Sequence, residues 1–183
     1  MIYVEAPNTA PQRGLSLFLA GGITNCSDWQ SELVKMIDKL DITVFNPRRK
    51  NFPIHDPNAA FGQIKWEYER LREADIISFW FCAETMCPIV LFELGAHLMT
   101  NKPILVGMDP GYSRRQDVEI QTKLVRPEIQ IVYDLKSLSD QIAETFNQMV
   151  PFVKLWKKAL TLGPISGIFR AWTQLSAYHG YGR

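Results

Sequence analysis

Glu93 stands in a run that is otherwise apolar: Ile89-Val90-Leu91-Phe92-Glu93-Leu94-Gly95-Ala96. A carboxylate among such neighbours is costly to bury unless it is paired or used. Partial desolvation would raise its pKa and sharpen it as a nucleophile. The competing reading is a helix acid that faces solvent. Gly95 weighs against that, because a glycine inside a helix costs about 1 kcal/mol and suggests that something else approaches closely. Glu67 lies in Ile64-Lys65-Trp66-Glu67-Tyr68-Glu69, a more polar setting in which a surface acid is the default. His97 falls four residues after Glu93, but no Ser and Asp arrangement completes a hydrolytic triad.

Three further groups could bind a ligand. Gly21-Gly22 lets backbone N–H groups approach an anion or a hydroxyl-rich molecule. It is neither G-x-G-x-x-G nor a P-loop, so no nicotinamide or ATP site and no cofactor is expected. Asn46-Pro47-Arg48-Arg49 sets two guanidinium groups where they could clamp a phosphate or carboxylate, or simply be solvated. Cys26, Cys82 and Cys87 are the only cysteines. An odd, small number without framework spacing suggests reduced thiols in a cytoplasmic protein. Cys82 and Cys87 could clip a metal, but nothing in the spacing completes the set, so no metal site is expected.

The elements that must position these residues follow from periodicity. Leu15–Ala20, Ile42–Phe45, Asp75–Phe81, Lys102–Gly107 and Ile129–Tyr133 are short apolar runs that read as buried strands. Helical spacing lies between them. Ser27 and Gln30 resemble a capping box for a helix from Trp29. Phe61–Ala74 and Pro88 to about Thr100 form the next two helices, and Ser137 caps a helix through Met149. Strands that are apolar throughout and alternate with helices imply an α/β fold, a five-stranded doubly wound parallel sheet of flavodoxin-like or Rossmann-like type. In such folds ligands bind beyond the carboxyl ends of the strands. Glu93, Gly21-Gly22 and Asn46 to Arg49 follow strands; Asp75 opens one at the opposite edge and reads as structural.

The 183 residues hold 20 Lys and Arg against 19 Asp and Glu, a formal charge of +1, with 46% hydrophobic residues. The mean hydropathy is −0.09. That is an ordinary globular composition, with no basic block to suggest nucleic-acid binding. Met1 to Gly14 lacks the pattern of a secretory signal and reads as an N-terminal arm. Residues 145–183 contain five basic residues and no acid. The expected organisation is therefore an arm (1–14), an α/β domain (15–150) and a basic, apolar helical tail (151–183). In the tail, Phe152, Val153, Leu155, Trp156, Ala159 and Leu160 recur at helical spacing. Ile165 to Tyr178 forms a second apolar stretch after Gly163-Pro164. A hairpin that packs on the domain or on another subunit is favoured over a membrane-surface helix.

Taken in order, Phe18-Leu19-Ala20-Gly21-Gly22-Ile23 with Asp28-Trp29, Phe45-Asn46-Pro47-Arg48-Arg49, Trp66-Glu67, Ala74-Asp75-Ile76-Ile77, Phe92-Glu93-Leu94-Gly95 and Lys102-Pro103-Ile104 resemble the nucleoside 2-deoxyribosyltransferase family. The resemblance covers about residues 15–145. It implies a retaining double displacement on a nucleoside or nucleotide, with Glu93 as the nucleophile and transfer to an acceptor base or to water. It implies that Glu67 orients or protonates the base and that Gly21 and Gly22 line the sugar pocket. It also implies a homo-oligomer. Phe18 stands where many members carry a tyrosine, and Cys87 where an aspartate is common; Glu84 and Thr85 are the nearby substitutes. A non-catalytic nucleotide sensor on the same fold and a membrane-recruited module are the alternatives.

Overall fold

The computed structural model describes residues 1–9, 14–53 and 55–161, with side chains through 155. The chain divides into two units, Met1–Ala143 and Glu144–Arg183. The first holds a six-stranded sheet in the order β1-β3-β2-β4-β5-β6, every neighbouring pair parallel. The strands are β1 (Ile2–Glu5), β2 (Ser16–Gly21), β3 (Thr43–Asn46), β4 (Ile76–Phe81), β5 (Ile104–Met108) and β6 (Ile131–Val132). The helices are α1 (Trp29–Met36), α2 (Ala59–Glu73), α3 (Pro88–Leu98), α4 (Arg115–Val125) and α5 (Leu135–Thr161).

Five of the strands are those expected from the apolar runs, and without β1 their order is that of a flavodoxin-like sheet. The sixth is a correction. Ile2–Glu5 pairs with β3 as an edge strand and buries only Val4, so no continuous apolar run marked it. The two central strands explain themselves. β4 (IISFWF) is buried along its whole length and β2 (SLFLAG) nearly so, as a sheet covered on both faces requires. At their first residues, the Ser16 backbone N–H and hydroxyl both donate to Asp75 Oδ2 at 2.8 Å, which makes Asp75 a register pin.

The helix starts differ from expectation by one turn of logic. Asp28, not Ser27, caps α1: its side chain accepts from the Ser31 N–H at 3.2 Å. At α5, Asp134 accepts from the Ser137 N–H at 2.7 Å and so does the capping assigned to Ser137. α5 also continues through Pro151 rather than ending near Met149. Its first third belongs to the unit 1–143 and the rest to the unit 144–183. The second apolar stretch of the tail, Ile165 to Tyr178, lies outside the described residues.

Right-handed crossovers place α1 on one face of the sheet and α2, α3 and α4 on the other. The strand order reverses between β2 and β4, so the loops after these two strands part there. α2 and α3 flank the opening. α2 is fixed at its middle and at its carboxyl end. Trp66 packs on Phe18 and Phe45 and donates to the Asn8 carbonyl at 2.8 Å. Lys102 Nζ donates to the carbonyls of Leu71, Arg72 and Ala74 at the helix's carboxyl end.

Candidate active site

A cavity of about 340 Å³ occupies the switch point. Its floor is Phe18, Ala20, Gly21 and Gly22 of β2 and the loop after it, with Ile23 and Thr24 beside them. Pro47 closes one side, Glu67 of α2 another, and Thr85 with Pro88, Ile89, Val90 and Glu93 of α3 the third. The volume is within the range of small-molecule sites.

Glu93 and Glu67 enter this cavity from neighbouring helices. Phe92, one residue before Glu93, points outward and is 76% exposed, so the helical phase turns Glu93 inward. Burial first, and the charge of Glu67 second, together raise the Glu93 pKa to about 8. Burial also pushes Glu67 above the ordinary carboxylate range, opposed by a hydrogen bond from Gln63 Nε2 to Glu67 Oε1 at 2.7 Å. Gln63 Nε2 also donates to the Pro47 carbonyl at 2.7 Å, tying α2 to the loop that carries Pro47. At neutral pH Glu93 therefore holds its proton more firmly than an ordinary carboxylic acid does. One carboxylate and one carboxylic acid facing a common space can supply a nucleophile and a general acid.

Glycine is needed at the floor for lack of room. A Cβ at Gly21 would come closer than 3.0 Å to Trp29 and to the Trp80 carbonyl. A Cβ at Gly22 would come within 3.0 Å of three cysteine sulfurs. The Gly22 carbonyl is held by Trp29 Nε1 at 2.9 Å and Gln30 Nε2 at 3.3 Å, so its loop is rigidly placed.

The sequence-derived candidates separate into two groups. Glu93, Glu67, Gly21, Gly22 and Thr85 line the cavity; Asn46, Arg48, Arg49 and Glu84 do not. Asn46 is buried, donating to the Tyr3 hydroxyl at 2.6 Å and accepting from the Arg48 N–H. Arg48 spends its guanidinium on the Cys26 and Ser27 carbonyls and Gln30 Oε1, at 2.9, 2.7 and 3.1 Å, so it clamps the loop between Gly22 and α1. Arg49 lies over the Phe52 ring. Glu84 is exposed and accepts from the Ser27 N–H; backbone N–H groups, its own and that of Ser27, hold it below the usual carboxylate range.

Two expectations are overturned. Gly95 is not a point of close approach among the described residues, since a Cβ there would meet nothing of them within 4 Å. The cysteines are not three separate reduced thiols: Cys26 and Cys82, 56 residues apart, form a disulfide, and Cys87 is free and buried beside it. Lining residues outside the segments picked out beforehand are Ala20, Pro88, Ile89 and Val90. Ile89 and Val90 precede Glu93 by four and three residues, so helical spacing alone could have put them on its face.

A flavodoxin-like parallel sheet with paired carboxylates in a switch-point cavity defines a class of small-molecule enzymes and binding proteins. Comparison narrows it. The family described as nucleoside 2-deoxyribosyltransferase-like matches residues 14–112, and the chain belongs to it. No curated protein sequence matches. Among solved structures, a 2-deoxyribosyltransferase of the psychrotolerant bacterium Bacillus psychrosaccharolyticus superposes with a TM-score of 0.51 at 18% identity. That match covers 68% of this chain and 90% of the other. A conserved protein from Enterococcus faecalis V583 superposes with a TM-score of 0.54 at 17% identity, over 72% and 98% of the two chains. At these identities the likeness is one of fold.

Proposed function

We propose that the chain cleaves or exchanges the N-glycosidic bond of (deoxy)nucleosides or nucleotides through a glycosyl ester on Glu93. The observation that carries this reading is the meeting of Glu93 and Glu67 in one cavity in a chain of this family. In the first step a Glu93 carboxylate oxygen bonds to the anomeric carbon as the carbon–nitrogen bond breaks. The electron pair goes to the base, which takes a proton from Glu67. In the second step Glu67, now a carboxylate, removes a proton from an acceptor base or a water. That acceptor bonds to the anomeric carbon and the ester to Glu93 breaks. The logic is that of two-carboxylate glycosyl transfer with retention.

Because Glu93 has the higher affinity for the proton, the empty cavity stores it on the nucleophile. The productive arrangement has it on Glu67 or on the bound base. A base that accepts a hydrogen bond from Glu67 favours that arrangement, so substrate binding itself activates Glu93. Phe18, an apolar ring on the floor, offers no hydroxyl to the carboxylate and leaves its pKa to burial and the Glu67 charge.

The reading extends to assembly and setting. Phe61, Ile64 and Tyr68 of α2, Ile89 and Phe92 of α3, and Met99 just after α3 are exposed apolar side chains. Ile89 also lines the cavity, so this face continues the rim of the site. A second copy of the chain seated there would cover both, which supports a homo-oligomer. Residues 151–183 are an accessory segment in this reading. Among the described residues no helix is long and apolar enough to cross a membrane; a cytoplasmic setting, where nucleosides are metabolised, completes the proposal. The experiment is chromatography of the purified chain with a panel of nucleosides and nucleotides, with and without an acceptor base. Release or exchange of base supports the reading. Tight binding without turnover would favour a sensor instead.

A further inference from the structure

Beneath the cavity, three cysteine side chains from three separate segments converge. Cys26 lies in the loop between β2 and α1, Cys82 directly follows β4, and Cys87 is the residue before α3. Their sulfurs all lie within 4.8 Å of one another. Cys82 and Cys87 are 2% and 4% exposed. The Cys82 and Cys87 sulfurs are 3.8 Å apart. Four sulfurs at about 2.3 Å around a tetrahedral ion are separated by roughly that distance. Gly22 faces all three, and only the absence of a Cβ leaves them room. Cys87 adopts the left-handed conformation, φ 49°, which a non-glycine residue occupies at a cost. That conformation is paired with a side chain turned into the cluster, not with a helix cap, since Cys87 makes no side-chain capping bond.

We propose that Cys26, Cys82 and Cys87, once the Cys26–Cys82 bridge is reduced, are a three-thiolate site for one thiophilic closed-shell cation, with Zn²⁺ as its representative. Reduction takes two electrons and two protons from a dithiol, which leaves as its own disulfide. Binding then releases the three thiol protons to solvent and forms three metal–sulfur bonds. Separation of the Cys26 and Cys82 sulfurs on reduction opens the triangle to the spacing that Cys82 and Cys87 already have. Soft thiolate ligands select Zn²⁺ and Cu⁺ over hard cations. Among the described residues no His, Asp or Glu joins the cluster, so a fourth position is left to water or an added thiol. The ion would tie the loop after β2 and the start of α3, which both line the cavity, to the end of β4. The same sulfurs in an oxidising compartment make the disulfide instead. Direct exchange, with Cys87 attacking Cys82 and releasing Cys26, is the rival chemistry.

The test uses the full chain, reduced with a phosphine and desalted without oxygen, so that a thiol reagent counts three thiols. Zn²⁺ is titrated against a chromophoric chelator. In parallel, Cd²⁺ is added and the ultraviolet thiolate-to-metal band is recorded. The expected result is one Zn²⁺ per chain, protection of all three thiols from the reagent, and a Cd²⁺ band of the intensity of three thiolates. Cys26→Ser, Cys82→Ser and Cys87→Ser should each weaken Zn²⁺ at least 100-fold, with circular dichroism reporting that each is folded. The disulfide form should bind none at this site. The wild-type Cd²⁺ band needs no variant to fold. Its absence, affinity unchanged in the serine variants, or a mixture of Cys26–Cys82 and Cys82–Cys87 disulfides without metal binding would overturn the proposal.

Discussion

Glu67 and Glu93 reach one cavity from neighbouring helices, and the negative charge of Glu67 opposes the ionisation of Glu93. Neither helix alone would create this relationship. α2 and α3 lie on the same face of the sheet because the two crossovers that contain them run in the same direction from the switch point.

Activity should follow pH through this pair. A substrate with a well-activated leaving base needs only an ionised Glu93, so its kcat/KM should rise with pH through about 8. A natural base also needs the proton on Glu67, so its profile should be bell-shaped, with the pair's two apparent pKa values as limbs. Glu67→Gln should move the rising limb to lower pH, because the opposing charge is gone. A limb that stays in place would show that burial alone sets it. The same variant should lose roughly 100- to 10,000-fold in rate with the poor leaving group and much less with the activated one.

Glu93→Gln should lower turnover at least a thousandfold, because glutamine cannot form the glycosyl ester. It should also change stability in a pH-dependent way. The raised pKa means that the folded chain binds this proton more tightly than the unfolded chain does. Stability from it is therefore present at acid pH and is lost as pH rises from the ordinary carboxylate value toward about 8. The variant should match the wild type near pH 4 and exceed it at pH 9, by on the order of 1–3 kcal/mol. Denaturant unfolding at the two pH values measures this.

Arg48→Ala should act through the loop and not through substrate phosphate. Its guanidinium bonds two loop carbonyls and Gln30. Losing these charge-assisted bonds should cost about 1.5–3 kcal/mol of stability and raise KM. The ratio of catalytic efficiencies for a nucleoside and its 5′-monophosphate should stay constant. A drop confined to the monophosphate would place Arg48 at the substrate.

Light scattering should return a multiple of the 21.0 kDa chain mass. Phe92→Glu, on the exposed face of α3, should reduce that multiple. A chain that is monomeric before the substitution would remove the proposed interface.

Much of this was legible in the sequence because parallel strands buried on both faces are unbroken apolar runs. A single acid inside such a stretch, as at Glu93, is conspicuous for the same reason. β1 was not legible: an edge strand that buries one side chain has no pattern to show. Arg48 follows a strand as a ligand-binding arginine would, and only its carbonyl partners, 18 to 22 residues away, reveal a clamp. The cysteine cluster depends on contacts across 56 residues that spacing does not encode. Gly95 misled because a glycine reports what is missing from a position and not what lies opposite it.

The most direct measurement is a rapid acid quench of the wild-type chain with a nucleoside labelled in the sugar, without acceptor base, followed by peptide mass mapping. One sugar unit, lacking its base, should be found esterified to Glu93 and should disappear when an acceptor base is added before the quench. Base release without any such adduct, with the label on another residue, or at an undiminished rate in Glu93→Gln would contradict the glycosyl-ester mechanism.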